Sequence, residues 1–157
     1  MEKSVRILIV DDDETIRKVL EAILKEEGYV TDSVDTGKKA IEKTANKFYN
    51  VALIDVRLPD IEGIELLTKL HDTTPKIRKI IITGFPTLEN AVAAVNQGAD
   101  AYIMKPFDVE KMLQTIKEQL NKQQDEKAFS EEKVAEFIET RVKELDVGPQ
   151  NFAKKRL

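Results

Sequence analysis

The chain has 157 residues, 41% hydrophobic and 34% charged, a length and balance that suit one domain with a sizeable core and an appendage. It holds no cysteine, no tryptophan and one histidine, which excludes disulfides, cysteine nucleophiles, a structural zinc site and a multi-histidine metal centre. Its net charge of −4, from 25 basic and 29 acidic side chains, argues against direct nucleic-acid binding, which calls for a basic face.

No apolar stretch approaches the roughly 18 residues of a membrane span. Residues 1–10 lack a small-residue cleavage site, so no secretory leader is expected and the expected compartment is the cytoplasm. Residues 5–10 read VRILIV, an aliphatic run that suits a strand buried on both faces of a parallel sheet. Residues 14–26 then place Ile16, Val19, Leu20, Ile23 and Leu24 at helical spacing, and Gly28 closes that helix. A weak strand is predicted over 30–34 and a helix over 37–46, with Ala40, Ile41 and Ala45 inward. A third strand covers 51–54. Pro59 and Gly63 punctuate the next loop, and Ile64, Leu66, Leu67 and Leu70 mark a helix. A fourth strand over 79–82 leads to a helix over 88–97 that stops at Gly98. The fifth strand covers 101–104, and Asp108 is the predicted N-cap of a helix bearing Met112, Leu113, Ile116 and Leu120.

Five strand–helix repeats predict an α/β fold, a doubly wound parallel sheet with helices on both faces. The predicted division is a main domain over 1–120, a polar linker over 121–129 and a C-terminal helical extension over 130–157. In the extension Ser130 is the expected N-cap and Val134, Phe137, Ile138, Val142 and Leu145 form one apolar stripe. Gly148-Pro149 is expected to end that helix before a basic, frayed tail, Phe152 to Leu157. Residues 121–157 hold 8 basic and 8 acidic side chains, so the net charge of −4 belongs to the main domain.

In an open parallel sheet, ligands bind beyond the carboxyl ends of the strands. The strands deliver Asp11 and Asp12, then Asp55, Thr83 and Lys105 to that edge. Two like charges about 4 Å apart repel by about 4 kcal/mol at an effective dielectric of 20. A hard divalent cation such as Mg²⁺ relieves that repulsion and also binds phosphoryl oxygens. A carboxylate in such a site can itself act as a nucleophile and become an aspartyl phosphate.

Four segments carry a family resemblance: Asp11-Asp12 followed by Ile16-Arg17; Leu53 through Asp60 leading to Gly63; Ile81-Ile82-Thr83-Gly84; and Gly98 through Phe107. In this order and at this spacing, residues 4–120 resemble a response-regulator receiver domain of two-component signalling. The resemblance implies a flavodoxin-like sheet in the strand order 2-1-3-4-5. It implies that Asp55 accepts a phosphoryl group from a sensor histidine kinase. Mg²⁺ would be held by Asp12, Asp55 and the main-chain carbonyl of Arg57, with Asp11 acting mostly through water. Thr83 and Lys105 would bind phosphoryl oxygens, Tyr102 would switch rotamer with Thr83, and the Lys105–Pro106 bond would be cis. Arg57 and Phe85 would flank the route of the water that removes the phosphoryl group.

Plainer readings stand beside these. Asp13 is a helix cap, His71 has no catalytic partner, and the stripe after Ser130 is a packing surface. A receiver-like module that is never phosphorylated is an alternative, against which the intact Asp55, Thr83 and Lys105 set argues. A flavin site would need a Ser/Thr/Gly-rich loop where the aspartates stand. Residues 85–92 resemble receivers that precede enhancer-binding ATPase domains, so a piece of a longer transcriptional regulator is a further alternative. The downstream effector is left open. A homodimer is expected to use either the face formed by helix four, strand five and helix five, or the C-terminal helix.

Overall fold

Aliphatic runs with few polar interruptions become the interior of a five-stranded parallel sheet. The computed structural model describes residues 4–145, and the side chains of residues 4–143. In chain order the elements are β1 (Arg6–Val10), α1 (Glu14–Glu26), β2 (Val30–Val34), α2 (Gly37–Asn46), β3 (Val51–Asp55), α3 (Gly63–Leu66), β4 (Arg78–Thr83), α4 (Leu88–Asn96), β5 (Ala101–Met104) and α5 (Val109–Leu145). The sheet order is β2-β1-β3-β4-β5, as expected.

The pleat sorts alternate residues onto two faces. On one face Leu8, Val10, Ala52, Ile54 and Ile81 pack with Ala40, Leu66, Leu67 and Ala94 of the α2, α3 and α4 side. On the other Ile7, Ile9, Val51, Leu53, Ile80 and Ile82 pack with Leu20 and Leu24 of α1 and Met112 and Ile116 of α5. Each large aliphatic side chain so buried contributes roughly 1.5–3 kcal/mol. Helix starts are fixed by side chains. Asp13 accepts from the Thr15 and Ile16 N–H groups at 2.9 and 3.3 Å, and Asp108 from Glu110 and Lys111 at 2.9 and 3.2 Å. Gly28 (φ 89°) and Gly98 (φ 96°) close α1 and α4 in the left-handed region that only glycine enters cheaply.

Two elements differ from the sequence expectation. The helix expected through Leu70 is regular only to Leu66. Beyond it Leu67 and Lys69 donate to carbonyls three residues back, as in a 3₁₀ turn, and Leu70 to the Leu66 carbonyl four back, so the ladder is irregular while Leu66, Leu67 and Leu70 stay buried. The linker expected over residues 121–129 is helical throughout, and Ser130 lies within α5 instead of capping a new helix. Residues 121–129 contain no glycine or proline, and their Lys, Gln, Glu and Ala side chains are good helix formers. Polarity marked solvation there, not a break.

The chain divides into two compact units after Gln123. The first holds the sheet and its helices. The second, among described residues, is helical, with Glu139 paired to Lys143 at 3.6 Å. The expected Gly148-Pro149 stop, the tail from Phe152 to Leu157 and the Leu145 side chain lie outside the described residues. No helix among the described residues is long and apolar enough to cross a membrane.

Candidate functional site

The carboxyl edge of the sheet gathers the polar residues that the sequence placed there. β1 ends at Val10, and the Asp11 N–H, bonded to the Val34 carbonyl at 3.1 Å, carries the β1–β2 pairing one step further. The Arg17 guanidinium donates to the Asp11 carbonyl at 2.8 Å, and Asp11 Oδ1 accepts from the Asp13 N–H at 2.9 Å. Asp55 is the last residue of β3 and sits in register with Ile82. Thr83 follows Ile82 at the end of β4 and is fully buried. The Lys105 N–H donates to the Thr83 carbonyl at 2.7 Å, which sets the lysine beside that strand end. The Lys105–Pro106 peptide is cis, and so is Thr74–Pro75.

Oxygen atoms of Asp11, Asp12 and Asp55 all lie within 4.8 Å of one another. Asp11 and Asp55 are buried, at 3% and 9% exposure, while Asp12 is exposed. The Lys105 ammonium lies 2.9 Å from Asp11 and 3.4 Å from Asp55. Burial raises the Asp55 carboxyl above the usual aspartate range, and the Asp11 charge raises it further against the pull of Lys105. Burial lowers Lys105, but its hydrogen bond to Asp11 and the two carboxylate charges outweigh that and leave it raised. One ammonium against three carboxylates leaves the cluster short of positive charge. An all-oxygen donor set of this kind fits a hard divalent cation.

The remaining predicted residues stand around this cluster. Thr83 Oγ1 accepts from the Phe85 N–H at 3.0 Å. Tyr102 is in register with Ile81, two residues before Thr83, and so on the same sheet face. Its buried hydroxyl faces the Thr87 main chain and closes no hydrogen bond of ordinary geometry. The Arg57 N–H approaches Asp55 Oδ1 at 3.4 Å. The Arg57 guanidinium carbon lies 3.6 Å from the centre of the Phe85 ring, so a cation–π contact joins the loops after β3 and β4.

Other supports of the site have roles that no local pattern in the sequence states. Asp60 accepts from the Gly37 and Lys38 N–H groups, each at 2.9 Å, and so caps α2 from another loop. Its carboxyl is held below the usual range by those two bonds. Gly63 donates its N–H to the Val56 carbonyl at 2.7 Å, and a Cβ there would stand 2.0 Å from the Asp55 carbonyl oxygen. The Asn90 amide holds the Phe85 carbonyl at 3.2 Å. Glycine as punctuation was visible in the sequence, but the reason for Gly63 was not.

Comparisons with known proteins agree with this geometry. A profile of the response regulator receiver domain matches residues 7–117. The response regulator ArlR of Staphylococcus epidermidis is 37% identical over 121 residues, covering 76% of this chain and 54% of that protein. The chain spans between 27% and 54% of the length of the curated relatives it matches. Among solved structures, a CheY-like receiver domain protein from Methanospirillum hungatei JF-1 superposes with a TM-score of 0.75 at 47% identity, covering 79% of this chain and 99% of that one. A beryllofluoride-activated NtrC4 receiver domain dimer superposes with a TM-score of 0.70 at 38% identity, covering 75% and 98%. With its sheet order, its acidic cluster and these matches, the chain belongs to the response regulator receiver family.

Proposed function

We propose that Asp55 accepts a phosphoryl group from the phosphohistidine of a sensor histidine kinase. The observation that carries this reading is the Lys105 ammonium reaching both buried carboxylates, Asp11 and Asp55, at the end of the sheet. An Asp55 carboxylate oxygen attacks phosphorus, the P–N bond of the donor breaks, and its electron pair stays on the imidazole nitrogen. Asp12, Asp55 and the main-chain carbonyl of Arg57, with Asp11 acting mostly through water, would hold Mg²⁺, which would supply the positive charge that phosphoryl oxygens need. Lys105 exchanges a carboxylate for a phosphoryl oxygen, and the Thr83 hydroxyl turns from the Phe85 N–H to donate to another. Hydrolysis reverses the modification when water attacks the same phosphorus and Asp55 leaves.

Movement of Thr83 leaves space on the sheet face that Tyr102 shares, and its unsatisfied hydroxyl gives the ring little to lose by turning. The two positions are states of one pre-existing equilibrium that phosphorylation biases. The surface so altered carries Leu88, Val92 and Val95 of α4, Met104 of β5 and Val109 of α5, all 41–82% exposed. That apolar face is where a downstream partner, or a second receiver, would read the state. The reaction belongs to the cytoplasm, where a histidine kinase and its Mg²⁺ meet the receiver.

Incubation with acetyl phosphate and Mg²⁺ tests this directly. The full chain should gain the mass of one phosphoryl group, and Asp55→Asn should gain none. Equal labelling of the variant would remove Asp55 from the role.

A further inference from the structure

The second unit presents apolar side chains to solvent along a helix. Val134, Phe137, Ile138 and Val142 are 47–61% exposed. Val134 and Ile138 stand four residues apart, and alternating steps of three and four extend their line by one layer each way, to Glu131 before and Arg141 after. One layer out from this pair, the line therefore carries an anion on its N-terminal side and a cation on its C-terminal side. Phe137 borders it on one side, Ala135 and Val142 on the other. The Arg141 guanidinium carbon lies 5.2 Å from the centre of the Phe137 ring, which places the cation beside the stripe and not across the helix from it.

We infer that this stripe pairs with the same stripe of a second copy of the chain, antiparallel, about a two-fold axis level with Glu136. The charges decide the orientation. In an antiparallel pair Val134 meets Ile138 of the second copy, and Glu131 meets Arg141 of the second copy. The two-fold axis makes each of those contacts twice. Like borders meet in that arrangement, so Phe137 lies against Phe137 and small Ala135 against Ala135. A parallel pair stacks each layer on itself, Glu131 on Glu131 and Arg141 on Arg141, and like charges facing across a seam oppose association. Glu136, level with the axis, falls on the outer surface of the helix and meets nothing. The self-complementarity is a property of this segment alone. It needs neither phosphorylation nor the apolar face of α4, β5 and α5.

Sedimentation equilibrium of the full chain, with no phosphodonor, reads the pairing. The wild type should dimerise reversibly, and Ile138→Glu should abolish the dimer. Glu131→Arg and Arg141→Glu should each raise the dissociation constant about tenfold or more, because each replaces two attractions by two repulsions. The two changes in one chain should restore it to within about threefold of wild type. Glu132→Arg, an equal charge change on the outer surface, should leave the dimer as it was. A chain that stays monomeric up to about 1 mM overturns the proposal. So does a dimer that survives Ile138→Glu, since it assembles elsewhere. Single charge changes without effect, a double change that does not recover, or an equal loss in Glu132→Arg would also overturn it.

Discussion

Burial and the neighbouring Asp11 carboxylate push the Asp55 carboxyl above the ordinary aspartate range, with Lys105 opposing them. For an acid whose folded-state pKa is raised, the native state holds its proton where the unfolded chain has released it. Its contribution to stability is therefore full below the unfolded value of about 3.9 and declines as pH rises through the folded value. Without Mg²⁺, Asp55→Asn should unfold at a higher temperature than wild type at pH 7, and the difference should close as pH falls toward 4. Added Mg²⁺ should stabilise wild type more than the variant. Thermal melts in chelator and in Mg²⁺ measure both, and a variant less stable than wild type in chelator at pH 7 would contradict the burial argument. Phe85 sets a second property of the same site. The residue is 50% exposed, its ring stacks with the Arg57 guanidinium at 3.6 Å, and we propose that it shields Asp55 from water. Phe85→Ala should open Asp55 to water and speed loss of the phosphoryl group severalfold, by roughly 1 kcal/mol of barrier. Following the decay of phosphorylated protein by mass checks it, and slower decay in the variant would count against a shielding role. The residues at the strand ends were legible because apolar runs locate the ends and the parallel topology locates the edge. The capping role of Asp60 was not, since its partners are the N–H groups of Gly37 and Lys38, more than twenty positions away and without any pattern of side chains.

At the scale of elements, periodicity served best where burial and hydrogen bonding coincide. The bounds of α1, β2, α2 and β5 match the spans expected from apolar spacing and caps. The segment after Gly63 shows where the two part. Its leucines are buried at near-helical intervals, yet beyond Leu66 three-residue bonds at Leu67 and Lys69 mix with a four-residue bond at Leu70, and the same side chains stay inside. A pattern of apolar residues reports the inward face and not the hydrogen-bond ladder behind it. Polarity in residues 121–129 was ambiguous in the opposite sense, because a solvated helix and a linker share a composition. Gly63 joins these elements to the site. Its N–H bonds the Val56 carbonyl, and the loop turns so closely over β3 that a Cβ would stand 2.0 Å from the Asp55 carbonyl oxygen and 2.8 Å from its carbon. Those are backbone atoms of a central strand and cannot rotate away. Gly63→Ala should cost about 2–3 kcal/mol in urea unfolding and should also lower the rate of phosphorylation, since the displaced atoms belong to the acceptor residue. A variant of unchanged stability and labelling would mean that the loop yields freely.

At the scale of the whole chain, the boundary of the first unit is set by a few polar contacts. Among the described residues every apolar core residue lies at or before Leu120, and the sequence placed the end of the domain there. The compact unit instead runs to Gln123. That glutamine is 3% exposed, and its amide nitrogen donates to the Asn50 and Lys76 carbonyls at 2.9 and 2.7 Å. Its amide oxygen accepts from Asn50 Nδ2 at 3.0 Å, while Asn50 Oδ1 accepts the Arg6 N–H at 3.0 Å. One side chain thus ties α5 to the entries of β1, β3 and β4, at the edge of the sheet opposite the acidic cluster. No apolar pattern announces a buried glutamine, so hydrophobic spacing alone stops three residues short. Two truncations separate the alternatives. A chain ending at Gln123 keeps both faces of the core and all three glutamine bonds, so it should unfold cooperatively with nearly the stability of the full chain. A chain ending at Leu120 loses those bonds and leaves the Asn50 side chain and two carbonyls to find water. At about 0.5–1.5 kcal/mol for each bond, it should be roughly 2–4 kcal/mol less stable than the longer one. Its acidic cluster lies at the far end of the strands, so acetyl phosphate should still label it while it is folded. Urea unfolding of the two chains side by side decides the matter, and equal midpoints would place the end of the unit at Leu120 after all.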